Sequence, residues 1–199
     1  MQEQQCQYGE RMATKRPATY EDLIEVPEHL VAELVDGELI TSPRPRPRHA
    51  KATSVLLSVV HTPFDTGRGG PGGWTIVVEP EVHLGADVLV PDIAGWRRAR
   101  LPRLPTEAWF PLAPDWICEV LSPSTAALDR DRKLPIYARD GVTNAWLVDP
   151  LAQTIDVLRR AQDGWLLLAT YTGREAFRAE PFEAIEIELP LLWEEPGEA

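Results

Sequence analysis

The sequence predicts one mixed α/β domain, and three observations lead there. From Val31 to Ile40, apolar and polar residues alternate on both sides of Asp36-Gly37. That dipeptide suits the positive φ angles of a tight hairpin turn. Residues 49–60 repeat apolar side chains at helical spacing. Trp116-Ile-Cys-Glu-Val-Leu121 is short and mostly apolar, as a central strand is.

Element by element, residues 1–18 read as a flexible leader. Thr19 caps a short helix, Tyr20 to about Val26, with Asp22 as the reciprocal capping-box residue, and Pro27 interrupts it. The hairpin follows. Ser42-Pro-Arg-Pro-Arg-Pro-Arg48 has prolines too closely spaced for a helix interior or a central strand. A helix from His49 to about Val60 then puts Ala52, Val55, Leu56, Val59 and Val60 on one face. Gly67 to Gly73 is a loop. Strands are expected at Trp74–Val78, Glu81–Leu84 and Val88–Trp96, and a loop rich in Arg and Pro at residues 97–114. Ser122-Pro-Ser-Thr125 ends the central strand and starts a helix that reaches about Arg139, where Asp140-Gly141 stops it. Further strands are expected at Ala145–Val148, Thr154–Arg159, Trp165–Tyr171 and Ala184–Leu189. Residues 19–192 contain no repeat and no domain boundary, and residues 193–199 form an acidic tail.

The composition excludes several classes. Of 199 residues 44% are hydrophobic and 26% charged, so the chain is not a disordered one. A net charge of −11 argues against a general nucleic-acid coat protein, which lives on phosphate neutralisation. Seven Glu and no base fall in residues 180–199, so the other 179 residues carry 24 acids against 20 bases and leave room for a local basic surface. No run approaches the roughly 20 apolar residues that span a bilayer. The polar N-terminus has no apolar signal segment. The expected location is cytoplasmic, with no membrane partner. Cys6 and Cys118 form neither a disulfide framework nor a zinc motif.

Three features carry chemistry. Asp92, in Val90-Pro-Asp-Ile93, ends an otherwise apolar strand. Glu119 sits inside the central strand, where a carboxylate is costly unless it is paired or bound to a metal. Asp129 and Lys133 lie four apart on the following helix and share a face. Two carboxylates on adjacent strands can hold a divalent cation. A lysine at the same mouth could orient or help deprotonate a water, a set suited to phosphodiester hydrolysis.

The chain resembles the bacterial putative restriction endonuclease family of the Uma type, in the PD-(D/E)XK nuclease superfamily. The resemblance covers roughly residues 19–172. It is carried by Glu33-Leu-Val-Asp-Gly-Glu38, Ser42-Pro-Arg-Pro with His49, Val90-Pro-Asp-Ile93, Glu119-Val-Leu-Ser-Pro-Ser-Thr125, Asp129 with Lys133-Leu and Tyr137-Ala, Gly141-Val and Trp146-Leu-Val-Asp-Pro150, in that order. It implies a restriction-endonuclease-like core: a mixed central β-sheet flanked by helices, with an N-terminal β-hairpin. It implies DNA as substrate and Mg²⁺, or Mn²⁺, as cofactor. Asp92 matches the aspartate of the PD motif and Glu119 the acid of the (D/E)XK motif, and both are the expected metal ligands. The lysine position two residues after Glu119 is Leu121, a departure that points to Lys133 on the next helix. Glu33 matches an early acidic position. Catalysis is therefore expected from Asp92, Glu119, Lys133 and Glu33.

Simpler readings stand beside these. Asp92 would cap a loop, Lys133 would pair with Asp129 on the surface, Glu33 would flank the hairpin turn, and Asp36 and Glu38 would be turn and strand-end residues. His49, Arg46 and Arg48 are the expected substrate contacts, with a first-turn histidine as the rival. Arg97, Arg98, Arg100 and Arg103 read as phosphate contacts or as loop charge. Trp116 and Trp146 read as core. The alternative function is a nuclease-fold module that binds nucleic acid or protein without cutting. A weaker one is an interaction module whose acidic end meets a basic partner. Edge strands make a homodimer plausible.

Overall fold

The computed structural model describes residues 16–193. The expected leader up to residue 15 and the tail from residue 194 lie outside the described residues. Arg16 forks onto the Asp22 carboxylate at 2.8 and 2.9 Å, and the Ala18 N–H donates to the Gly37 carbonyl at 2.8 Å.

A short helix α1 (Tyr20–Ile24), closed by the Thr19/Asp22 capping box, precedes the hairpin β1 (Leu30–Val35) and β2 (Glu38–Pro43). Asp36 and Gly37 take φ of 51° and 76°, as a two-residue turn of that hand requires. Helix α2 (Pro47–Phe64) is longer than the periodicity suggests. Pro47 serves as its first residue, where a missing N–H is harmless. Strands β3 (Trp74–Val78), β4 (Val82–Leu84), β5 (Asp87–Leu89), β6 (Ile93–Arg97) and β7 (Trp116–Val120) follow. A helical crossover, α3 (Ala126–Leu128), a π-helical turn (Asp129–Lys133) and α4 (Leu134–Arg139), leads to β8 (Asn144–Asp149). The chain closes with β9 (Thr154–Ala161), β10 (Gly164–Thr172), β11 (Ala176–Phe177) and β12 (Ile187–Glu188).

The central sheet has six strands in the order β10-β9-β8-β7-β6-β3. Every pair is antiparallel except β7 with β8, the pair that the helical crossover joins. A second sheet has the order β2-β1-β5-β4. The expected strand Val88–Trp96 is in fact two: β5 belongs to the small sheet and β6 to the large one. Pro91 lacks the N–H to continue a ladder, so the chain changes sheets there. The expected strand Ala184–Leu189 shrinks to β12, paired only with β11. Its alternating side chains pin a turn-rich segment to the core, with Phe182, Ile187, Leu189 and Leu192 buried.

Alternation along β7 divides the core. Trp116, Cys118 and Val120 pack with α2, Trp146 and Phe182 on one face. Ile117 and Leu121 pack with Leu134, Ile136 and Tyr137 on the other. Glu119, between the latter two in the alternation, faces the α4 side. Among the described residues no helix is long and apolar enough to cross a membrane.

Candidate active site

Strand pairing brings the two acids together. Ile93 lies opposite Cys118 in the antiparallel β6–β7 ladder. One step further, Asp92 therefore stands opposite Glu119, on the same face. The Asp92 Oδ2 accepts the Val120 N–H at 2.6 Å, and the Asp92 N–H lies 3.4 Å from Glu119 Oε2. Asp92 sits not at the end of a strand but in the link where the chain crosses from the small sheet to the large one.

The small sheet delivers Glu33. Leu34 of β1 pairs with Val88 of β5, and Glu33 Oε1 accepts the Val90 N–H at 2.8 Å. The helical crossover delivers Lys133. Its Nζ lies 2.9 Å from Glu33 Oε1, 2.9 Å from Glu119 Oε1 and 3.4 Å from Asp129 Oδ1. Lys133 is 3% exposed and Glu119 2%, so the lysine is no surface partner of Asp129 but the cation inside a cluster of acids. The sequence suggests one continuous helix here. Instead the π turn Asp129–Lys133 interrupts it at this cluster, a feature common at functional sites. Arg132, on the same turn, reaches the other way, to Asp36 at 3.3 Å, Glu38 at 2.8 Å and the Val35 carbonyl at 2.7 Å. It clamps the hairpin onto the crossover, and so Asp36 and Glu38 serve the scaffold.

From the sequence, two further groups of the cluster are assigned no catalytic or metal role. Tyr137, fully buried, donates its hydroxyl to Glu119 Oε1 at 2.7 Å. Asp129 lines the same pocket as the other acids. Spacing signals them: residues 129, 133 and 137 recur every four positions, with Lys133 and Tyr137 on Glu119 and Asp129 on Lys133.

Charge in this cluster is unbalanced. Burial pushes the Glu119 carboxyl well above its usual range; Lys133 opposes this, while Asp129, Asp92 and Glu33 add to it. Burial likewise raises Asp129 against the pull of Lys133. Burial alone would lower the Lys133 pKa, but Glu119, Glu33 and Asp129 outweigh it and hold the ammonium well above the ordinary lysine value. His49, in the first turns of α2, places Nε2 3.2 Å from Asp92 Oδ1. Burial disfavours its charge, and the Asp92 bond outweighs that and raises its pKa.

These groups line a pocket of about 230 Å³ together with Arg44, Arg46 and the hydroxyls of Ser122, Ser124 and Thr125. Arg46 is on its wall; Arg48, exposed on the first turn of α2, is not among its lining residues. The second arginine cluster is elsewhere, at the opposite end of β6 from Asp92. Arg97 stacks over Trp74 at 4.0 Å, Arg98 bonds the Trp74 carbonyl at 2.6 Å, and Arg100 pairs with Asp115 at 2.9 Å. Those three arginines build structure.

Among the described residues no group of three or more His, Cys, Asp or Glu side chains is set to cage a metal ion. The donor chemistry still fits a hard cation: five carboxylates, those of Glu33, Glu79, Asp92, Glu119 and Asp129, share the pocket with one lysine. Asp92 and Glu119 would hold it, with water and substrate oxygens completing the shell, as Mg²⁺ sites commonly do.

The family model described as Uma2, putative restriction endonuclease, matches residues 17–191. The chain is also similar to a solved structure, a putative nuclease belonging to DUF820 from Anabaena variabilis ATCC 29413. The two share 25% identity with a TM-score of 0.73, over 89% of this chain and 98% of that one. No curated protein matches the chain.

Proposed function

The chain belongs to the Uma2 family of putative restriction endonucleases, and from that membership we propose that it is a metal-dependent endonuclease hydrolysing DNA phosphodiester bonds. One observation carries the reading: Asp92 and Glu119 stand side by side at a pocket, backed by a lysine buried among carboxylates. Mg²⁺, with Mn²⁺ as a substitute, is the cofactor this donor set suits. When bound, such a cation lowers the pKa of a water and offsets the charge that develops on phosphorus.

The chain's own residues do the rest. Asp92 and Glu119 bind and orient. Lys133 remains an ammonium, so it does not accept a proton. It holds Glu119 and Glu33 in place and sets positive charge beside the reacting phosphate. Arg46 on the pocket wall meets a flanking phosphate of the strand. The Ser122 and Thr125 hydroxyls, 3.0 Å apart, furnish neutral donors at the same mouth.

The test is an Mg²⁺ and Mn²⁺ titration with supercoiled and single-stranded DNA, comparing wild type with Glu119→Ala. Cation-dependent cutting by the wild type and none by the variant is expected. Binding of DNA without cutting at any cation concentration would favour the non-cleaving module, a reading that the net charge of −11 keeps in view.

A further inference from the structure

We propose that Tyr137 is a positioning residue that makes Glu119 a one-oxygen ligand and thereby tunes the pocket to small octahedral cations over larger ones. This rests on the metal-dependent reading above and deepens it.

A carboxylate oxygen has about two lone-pair sites. On Glu119 Oε1 both are taken: Tyr137 donates its hydroxyl at 2.7 Å and Lys133 its ammonium at 2.9 Å. Both donors come from one helical stripe, four residues apart, and both are buried. Among the described residues Oε2 has only the Asp92 N–H, at a long 3.4 Å. Asp92 is arranged alike: Oδ2 accepts the Val120 N–H at 2.6 Å, while Oδ1 faces His49. Each acid therefore commits one oxygen to the backbone or the buried donors and leaves the other with a single partner, His49 for Asp92 and the distant Asp92 N–H for Glu119.

This limits what can bind. Ca²⁺ takes six to eight oxygens at roughly 2.3–2.6 Å and readily uses both oxygens of one carboxylate, whereas Mg²⁺ takes six at roughly 2.0–2.1 Å and keeps several waters. Two one-oxygen carboxylates suit the second pattern. Removing the Tyr137 hydroxyl frees a lone pair on Oε1 and lets Glu119 tilt into two-oxygen contact. A buried phenol also needs a partner for its own sake. A purely structural bond would affect every cation alike.

The full chain, wild type and Tyr137→Phe, is titrated with Mn²⁺ and separately with Ca²⁺ by calorimetry. In Tyr137→Phe, Mn²⁺ affinity should fall about tenfold, the loss of one hydrogen bond to a charged group, while Ca²⁺ affinity holds or rises. Equal losses for the two ions, or no loss for either, overturns the assignment while leaving the metal reading intact. A wild type that binds no Mn²⁺ overturns both. Should Tyr137→Phe fail to fold, the infrared difference spectrum of wild type with and without Mn²⁺ decides. Carboxylate stretches split as for one-oxygen ligation are expected, and a two-oxygen pattern refutes the proposal.

Discussion

Glu119 concentrates the energetics of the pocket at the scale of one residue. It is buried, has a lysine against one oxygen and acids nearby, and its carboxyl titrates well above the usual range. Glu119→Gln keeps the shape and removes one charge. It should raise the melting temperature of the metal-free protein by about 2–4 °C, the shift that about 1 kcal/mol produces in a chain of this size. The same variant should show no further rise with Mg²⁺ or Mn²⁺; an undiminished rise would place the cation elsewhere. A pH dependence follows. Between the ordinary carboxylate range and the raised pKa values of Glu119 and Asp129, the folded protein holds protons that the unfolded chain has released. The contribution of these two groups to stability is thus most favourable at low pH and is lost as pH rises through that window. Urea midpoints of metal-free wild type, minus those of Glu119→Gln, should decline as pH rises through that window. A difference that climbs over that range would contradict the assigned burial.

At the scale of elements, the hairpin and the helical crossover are strapped together from outside the pocket. Arg132 grips Asp36, Glu38 and the Val35 carbonyl. Asp87 accepts the Asp36 N–H at 2.6 Å and Arg139 at 2.8 Å. This strap sets the distance from β1 to the π turn, hence from Glu33 to Lys133. Arg132→Ala should cost about 1–2 kcal/mol, the range of a few hydrogen bonds to charged groups. Amide exchange should quicken in β1 and β2 while β7 and β8 stay protected. Uniform loss of protection across both sheets would mean that the strap is not local. The legibility of elements differed in a physically intelligible way. Trp116–Val120 announces itself because an acid in an apolar run is too costly to bury unless the fold supplies a partner for it. The break at Pro91 is hidden, because both halves of residues 88–96 are apolar and each is buried in a different sheet. The π turn leaves no trace in a pattern of spacing that a continuous helix would produce equally well.

For the whole molecule, the pocket draws on both sheets and on two helical segments, so a cation that binds there links them. Saturating Mg²⁺, at about 100 times its dissociation constant, should add about 2.7 kcal/mol to folding stability by mass action. Scanning calorimetry should then show one unfolding transition displaced upward as a unit. A transition that splits, with only part of it shifting, would show that the two sheets do not unfold together. Sizing by light scattering tests the expected homodimer. A mass near 22.3 kDa at all concentrations would exclude it.

By itself the sequence determined most of the elements, the hairpin turn, the central strand and the acid inside it. These are local matters of periodicity, turn chemistry and the cost of an apolar neighbourhood around a charge. It also supplied, through ordered motifs, the pairing of Asp92, Glu119, Glu33 and Lys133 as one set. Only the tertiary structure decided that Asp92 lies between sheets, that Lys133 is enclosed by three carboxylates, and that Tyr137 holds the inner oxygen of Glu119. It also separated Arg46, on the pocket wall, from Arg48 and from the arginines that brace β3 and β6. The reason is physical. Which side chains share a pocket depends on strand order, register and helix seating, and these arise from packing between segments up to about a hundred residues apart, as Arg132 and Val35 are.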